Sequence, residues 1–307
     1  MQGKQLAVVI PFYEGHEQIQ ACIKSVTGSN GWDSSDLVIV VDNSPHRFEN
    51  INPEQVKVIV TQPGLGFGKA NNLGYEYARD HGFELVCILN QDAVLDVNAL
   101  ISLTEALAVN SGYEMVAPFL YRYDFMSIEA FFIQHYLVQN ESLVFDMIHS
   151  RSKKIYEMEH LSGACLMTKV ETLNKTGFFD PVYHMYEEDQ DLSRRFRKIG
   201  FKLGLVTAAK LGHLHSNTDE ELSLYVLKQR SRSAFIYECK DISRGFIHNI
   251  TIGIRKQLVL MTMLLLDLKI KSLIIVWSSL LRNLFRLHVY FRSYKAERIV
   301  IAKCKSK

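Results

Sequence analysis

No C-x-x-C pair occurs in this chain of 307 residues, and its five cysteines (Cys22, Cys87, Cys165, Cys239, Cys304) are scattered. An odd, dispersed set excludes a disulfide framework and reads as reduced thiols of a cytosolic protein. Cys87 and Cys165 sit in apolar runs and are expected in the core. A secretory leader is not expected, because Leu6 to Ile10 is too short for its apolar region and leads straight into Pro11. Repeats and low-complexity segments are lacking too. The net charge is only +2, and 48% hydrophobic with 22% charged residues excludes a disordered chain. The length allows one large core or two unequal ones. The small net charge hides an asymmetry: residues 244–307 hold 13 Lys+Arg against 2 Asp+Glu, which leaves the rest at −9. An acidic body argues against a nucleic-acid partner, and a basic, apolar tail points to an anionic surface.

What the chain does have is an acidic cluster in an apolar setting. Between Gly177 and Gly200, four acids fall within five positions: Glu187, Glu188, Asp189 and Asp191. Phe178, Phe179, Tyr183, Met185 and Tyr186 precede them, and Arg194, Arg195, Arg197 and Lys198 follow. Acids in a first turn and bases in a last one suit the dipole of a helix ending at Gly200. That leaves the apolar approach unexplained. Carboxylates at the mouth of a partly dry pocket have raised pKa values, which suits a general base.

Upstream, short apolar runs alternate with helical spacing. Leu6–Ile10, Leu37–Val41, Val56–Val60 and Leu85–Leu89 read as buried parallel strands, and helical patterns follow at 16–26 and 75–81. The fold class is therefore α/β, a mostly parallel sheet flanked by helices. Such sheets bind ligands beyond the carboxyl ends of their strands, where Glu14, Asp42 and Asp92 fall. Asp42-Asn-Ser also reads as a turn with an N-cap, and Asp92 as the cap of a helix over 97–107. The glycine-rich run from Gly64 to Gly74, with Lys69, offers N–H groups and a cation to a diphosphate, or is simply a tight loop before a helix. Residues 118–160 are rich in aromatics and show no strand alternation.

Six motifs in order carry a resemblance: Val-Val-Ile-Pro-Phe-Tyr-Glu (8–14), Val-Val-Asp-Asn-Ser (40–44), Gly-Phe-Gly-Lys-Ala-Asn-Asn-Leu-Gly (66–74), Leu-Asn-Gln-Asp (89–92), Ser-Gly-Ala-Cys-Leu-Met (162–167), and Phe-Asp-Pro with Glu-Glu-Asp-Gln-Asp-Leu (179–181, 187–192). Over about residues 5–217 the chain resembles the inverting family 2 glycosyltransferases of GT-A fold, in particular their non-processive, rhamnosyltransferase-like branch. That resemblance implies a nucleotide-sugar donor, a saccharide acceptor and a divalent metal, Mg²⁺ or Mn²⁺. It implies that Pro11, Tyr13 and Glu14 line the nucleotide pocket, Asp42 holds the base or ribose, and Gly68, Lys69 and Asn72 lie near the donor. Asp92, in Asn90-Gln91-Asp92, would hold the metal on the donor diphosphate, with His213 preferred over His215 as its partner. Gly163 and Ala164 would border donor sugar and acceptor, Asp189 would be the catalytic base, and Glu188 and Asp191 would shape the site, orient the loop or bind acceptor. Asn90-Gln91-Asp92 stands where many relatives carry two aspartates, which implies weaker metal affinity or a metal held mostly by diphosphate.

Two other classes compete with this reading. A nucleotidyltransferase would place a glycine-rich loop directly after the first strand, where this chain has Pro11-Phe-Tyr-Glu14. An inactive, membrane-bound interaction protein would have lost the acidic motif. A processive synthase is disfavoured by the lack of Q-x-x-R-W after the core, where only Gln229-Arg-Ser-Arg232 stands. A catalytic domain over 1–217 and a helical extension over 218–307 are expected. In the extension Leu258–Leu266 and Leu273–Trp277 are strongly apolar but separated by Asp267, Lys269 and Lys271. Charges at the centre of a span cost about 2.5–3.5 kcal/mol each, so a segment lying in the interface fits better than a clean span. Arg282, Arg286, Arg292, Lys295 and Arg298 suit anionic lipid, with Trp277 at headgroup level. The expectation is peripheral attachment to the inner face of the cytoplasmic membrane near a lipid-linked acceptor; the alternative is a helical pair packed on the core or a homodimer contact.

Overall fold

The computed structural model describes residues 5–48, 55–108, 112–151, 153–214 and 223–306. From the N-terminus run β1 (Leu6–Phe12), α1 (His16–Thr27), β2 (Leu37–Asp42), β3 (Val56–Val60), α2 (Phe67–Asp80) and β4 (Leu85–Leu89). β1 pairs in parallel with β2 and β4, and β2 with β3. These are the four strands expected from the apolar runs. β1 and β4 are almost wholly buried, as runs without alternation require.

Then come β5 (Ala93–Leu95), α3 (Ala99–Ala108), β6 (Tyr113–Arg122), α4 (Ala130–Phe132) with a π-helical turn at Ile133–Leu137, α5 (Glu141–Ile148), β7 (Ile155–Glu157), β8 (Cys165–Lys169), α6 (Val170–Thr176), α7 (Glu188–Ile199) and β9 (Lys202–His213). The sheet order is β3-β2-β1-β4-β8-β6-β9-β5, with β7 on β9. Past β4 the sheet is mixed. β8 runs antiparallel to β4 and β6, β6 runs parallel to β9, and β5 and β7 run antiparallel to β9. The start of the aromatic segment therefore proves to be a strand. β6 is buried through Met115–Leu120 and so has no alternation, and Pro118 is tolerated because the register with β9 slips just after it. Cys87 and Cys165 face each other across the sheet, 3.7 Å apart, as buried free thiols.

Four helices complete the described chain: α8 (Leu224–Cys239), α9 (Phe246–Leu266), α10 (Ile270–Phe285) and α11 (Leu287–Lys305). They bury a second, smaller core of Phe235, Ile236, Cys239, Leu280 and Tyr290 against Val182 and Tyr183. Those last two lie in the approach to the acidic cluster, so the extension packs on the part of the α/β body where the acids sit.

Candidate active site

The loop from Gly177 to Glu187 presents the acids, and three elements hold it. Asn72 on α2 brackets Phe179: its Nδ2 donates to the Phe179 carbonyl (2.8 Å) and its Oδ1 accepts the Phe179 N–H (3.1 Å). Asn72 thus supports the loop rather than facing a donor. The glycine-rich turn leans on the same loop. Phe67 N–H donates to the His184 carbonyl (3.1 Å), and a Cβ on Gly66 would lie 2.4 Å from that oxygen. Gly66 also has φ +94°, so only glycine fits there. From the other side, Ser233 Oγ on α8 donates to the Met185 carbonyl (2.7 Å), and the Arg230 guanidinium lies 5.1 Å from the centre of the Tyr186 ring. These contacts fix two successive left-handed residues, Tyr186 (φ 70°) and Glu187 (φ 66°). Such non-glycine conformations cost about 1–3 kcal/mol each and persist only where surroundings impose them.

Asp189, in the first turn of α7, accepts the Gly163 N–H at Oδ2 and the Gln190 N–H at Oδ1, each at 2.8 Å. A side chain on Gly163 would press on Asp189, so the glycine admits the carboxylate. Burial raises the Asp189 pKa against these hydrogen bonds and the nearby His160. Burial, then the Asp189 charge, pushes Glu187 up to about 7. The same two causes raise Glu188, which is buried beside Gly68 with Oε2 lacking a hydrogen-bond partner. A dry carboxylate with a raised pKa is what a general base requires.

Asp191 does not face the cavity. It is fully buried, held by Lys240 Nζ (2.9 Å), Arg194 (3.0 Å), Arg195 (3.1 Å) and the Tyr183 hydroxyl (3.2 Å). Burial alone would raise its pKa, but Lys240, Arg195 and Arg194 outweigh it and hold the carboxyl far below the usual range. Asp191 anchors α7, which agrees with a role in orienting the loop; its lack of exposure rules out the alternative that it binds acceptor.

Opposite Asp189 lie Asp92 and His213. β5 pairs with β9 so that Ala93 opposes His213, which brings the two together. His213 Nε2 is 3.4 Å from Asp92 Oδ1 and 3.3 Å from Asn90 Nδ2; Nδ1 is 3.2 Å from Glu129 Oε1. Burial alone would lower the His213 pKa, but the bonds to Asp92 and Glu129 outweigh it and raise it to about 9. The pocket therefore favours positive charge. Asn90 Oδ1, beside them, is buried without a hydrogen-bond partner. One carboxylate, one imidazole nitrogen and one orphaned amide oxygen suit Mg²⁺ or Mn²⁺. Among the described residues no group of three His, Cys, Asp or Glu forms a ready metal cage, so a cation here needs oxygen ligands from elsewhere, such as phosphate or water. His215 lies outside the described residues.

The donor-side loops are tied to one another. Gln91 Oε1 accepts the Tyr13 N–H (2.8 Å), and its Nε2 donates to the Glu14 carbonyl. Gln91 thus clamps the β1–α1 loop, with Pro11, Tyr13 and Glu14, onto the turn that carries Asp92. Asp42, at the end of β2, is fully buried, and its two oxygens accept the N–H groups of Ser44 and Phe48 (3.0 Å each). It organises its own turn and does not present a free carboxylate to a nucleoside. Lys69 is exposed on the first turn of α2.

Asn90, Asp92, His213, Gly163, Ala164, Glu187, Glu188 and Asp189 share one cavity of about 750 Å³. Pro11, Tyr13, Glu14, Asp42, Gly68, Lys69, Asn72 and Gln91 lie outside its lining. The far wall comes from Leu227, Arg230, Ser231 and Ala234 of α8 and from Gln257 and Leu260 of α9. Gln257 is pinned there, its Oε1 accepting the Ser231 hydroxyl (2.7 Å) and its Nε2 donating to the Ser231 carbonyl (3.0 Å). Neither this wall nor Glu129 was anticipated. Glu129 did leave a signal, as a lone acid in Ile128-Glu-Ala-Phe-Phe132; α8 left none, since its cavity-facing residues are ordinary helix formers.

Comparison with known proteins gives a consistent picture. A family model described as "Glycosyl transferase family 2" matches residues 7–177. A hexosyltransferase of low-salt glycan biosynthesis, Agl10 of Haloferax volcanii, is 18% identical over 204 residues, covering 65% of this chain and 64% of that protein. The crystal structure of GalNAc-T7 with UDP, GalNAc and Mn²⁺ superposes with a TM-score of 0.56 at 14% identity, over 76% of this chain and 48% of that one. The chain thus spans less than two thirds of either relative, and the structural likeness establishes the fold.

Proposed function

The chain belongs to glycosyl transferase family 2, and on that premise we propose that it moves a hexose from a nucleotide-sugar to a saccharide acceptor with inversion at the anomeric carbon. The carrying observation is that Asp189, buried and raised in pKa, shares a cavity with the Asp92–His213 pair. The acceptor hydroxyl attacks the anomeric carbon, Asp189 takes its proton, and the nucleoside diphosphate leaves from the opposite face. Asp92 and His213 would hold a divalent cation, whose chemistry would be to offset the charge developing on that leaving group. Gly163 gives the sugar close access to Asp189, Glu188 shapes the cavity floor, and the Gln91-clamped loop with Lys69 flanks the diphosphate. The archaeal relative's description as a hexosyltransferase and the neighbour's crystallisation with UDP, GalNAc and Mn²⁺ support donor and metal classes of this kind. The motifs at 162–167 and 179–192 support assignment to the non-processive, rhamnosyltransferase-like branch.

The acceptor in this reading is lipid-linked, and the reaction serves cell-surface polysaccharide synthesis at the inner face of the cytoplasmic membrane. α9 supports it. Gln257 and Leu260 line the cavity, while neighbouring Leu258, Val259 and Met263 are exposed. The apolar surface continues around the α9–α10 turn through Leu266 (77% exposed) and Leu268 (80%) to Ile274, Trp277 and Phe285 (82%), with Lys269, Lys271 and Arg282 among them. By length and composition, α9 is also long and apolar enough to cross a membrane. A panel of nucleotide-sugars, screened for thermal stabilisation and hydrolysis with Mn²⁺, tests the core reading. One donor class should raise the melting temperature and be hydrolysed; no response to any donor, with metal present, would defeat it.

A further inference from the structure

Glu129 has no role in the reaction as described, yet only 4% of it remains exposed. Burying a carboxylate is costly unless a partner compensates. Its backbone is placed by β6: Glu129 N–H donates to the Leu120 carbonyl (3.2 Å), just before Phe132 packs on Phe119 with ring centres 4.9 Å apart. The side chain then points to His213 Nδ1, 3.2 Å away.

We propose that Glu129 is a positioning residue that sets His213 as a metal ligand, holding the ring by Nδ1 so that Nε2 faces Asp92 and the cavity. The inference rests on the metal-assisted reading above. Two features separate it from simple charge neutralisation. First, the backbone already joins Asp92 to His213, since the strands pair and Leu214 N–H donates to the Asp92 carbonyl (3.0 Å). Glu129 is therefore not needed to bring the pair together; what it decides is which way the ring faces and which nitrogen keeps its proton. Second, a carboxylate on one imidazole nitrogen with the other nitrogen turned to an open, oxygen-rich site is the arrangement that orients metal-binding histidines and strengthens them as donors. Asn90 stands on the Nε2 side, its Nδ2 3.3 Å from that nitrogen and its Oδ1 buried without a hydrogen-bond partner.

The test uses the full chain and Mn²⁺ alone, followed by electron paramagnetic resonance. Wild type should take up Mn²⁺ and show hyperfine coupling to one imidazole nitrogen, absent in His213→Ala. Glu129→Gln, which keeps volume and one acceptor, should weaken Mn²⁺ binding about tenfold, and Glu129→Ala up to about a hundredfold with loss of the nitrogen coupling. Glu129→Asp should recover part of the affinity. The metal-free melting temperature of Glu129→Gln checks that the fold persists. If Glu129→Gln and Glu129→Ala both bind Mn²⁺ like wild type with the coupling intact, the inference is overturned while the metal reading survives. If wild type takes up no Mn²⁺ either alone or with a nucleoside diphosphate added, both fall.

Discussion

Lys240 Nζ lies 2.9 Å from Asp191 Oδ2, and neither side chain has any exposed surface. The same ammonium reaches Asp180 (2.7 Å) and Glu297 (3.3 Å). A residue at the end of α8 thereby ties α7, the loop before it and α11 into one buried cluster, balanced by Arg194 and Arg195. Lys240→Met should leave Asp180 and Asp191 without their shared partner and destabilise the protein by about 3–5 kcal/mol. Urea unfolding measures this; a loss below about 1 kcal/mol would mean that the two arginines suffice. By the same geometry, removing residues after about 250 takes away Glu297 and the Ser293 hydroxyl that donates to Asp180, so truncation should damage the site and not merely release the protein from a surface.

Asp189→Asn should lower transfer by about 10²–10⁴-fold, the usual contribution of a general base. Gln190 or Gly163 N–H keeps a carbonyl acceptor, so donor binding and melting temperature should stay close to wild type. A variant retaining more than about a tenth of turnover would remove Asp189 from that role.

Asp92→Ala should abolish the part of nucleoside-diphosphate binding that depends on Mn²⁺, and chelation should do the same to wild type. Asp42→Ala should weaken binding with or without metal, through collapse of the turn that its carboxylate organises. Calorimetry in both conditions separates the two, and identical losses would contradict the assignment.

Glu187 gives a pH dependence with a defined sign. Its folded pKa, about 7, stands above its ordinary 4.5, raised by burial and by Asp189, with Arg194 and Arg230 opposing and Glu238 adding. The folded state then binds more protons than the unfolded one between those values, so stability is fully present below about pH 4.5 and declines as pH rises to about 7. Glu297, raised to about 7 first by burial and then by Asp191, acts in the same direction. Glu187→Gln should flatten the slope of urea-measured stability over this window. An unchanged slope would show that Glu187 ionises normally in the folded protein.

For the surface formed by α9 and α10, Leu266, Leu268 and Phe285 changed together to Ser should abolish binding to anionic vesicles and leave donor hydrolysis intact. Wild-type binding should weaken at high salt, because the lysines and arginine among them act through charge. Flotation assays report both; wild type that ignores anionic vesicles at low salt would end the membrane proposal.

β1, β2 and β4 were legible because a strand buried on both faces must be continuously apolar, and each such run ended at a polar turn; Val56–Val60 is a strand too, but it lies at the sheet edge with Lys57 and Val60 exposed, not buried as expected. The α7 helix was legible from both ends, by acids in its first turn and by Gly200, which takes φ 104°. β6 was not, since Pro118 argues against a strand until the register slip beside it is known. The acids within α7 could not be sorted by sequence. Asp189 and Asp191 differ only in which way they face, and that is settled by Gly163 on one side and Lys240 on the other, both distant in the chain. The reading of Asp42 as a turn residue or a ligand stayed open for the same kind of reason: its partners are backbone N–H groups, which every residue but proline offers.

The buried cluster around Lys240 also imposes an order on the making of the protein. Chains emerge from the ribosome N-terminus first, and folding proceeds as they do. Asp191 emerges well before its ammonium partner, which follows 49 residues later, and Asp180 precedes Ser293 by 113. Until those helices arrive, Asp191 has only Arg194 and Arg195 of its own helix as cationic partners, and the left-handed Tyr186–Glu187 turn lacks the contacts with α8 that hold it. The nascent α/β body is therefore a scaffold with an unfinished centre, completed by the same helices that carry the apolar surface.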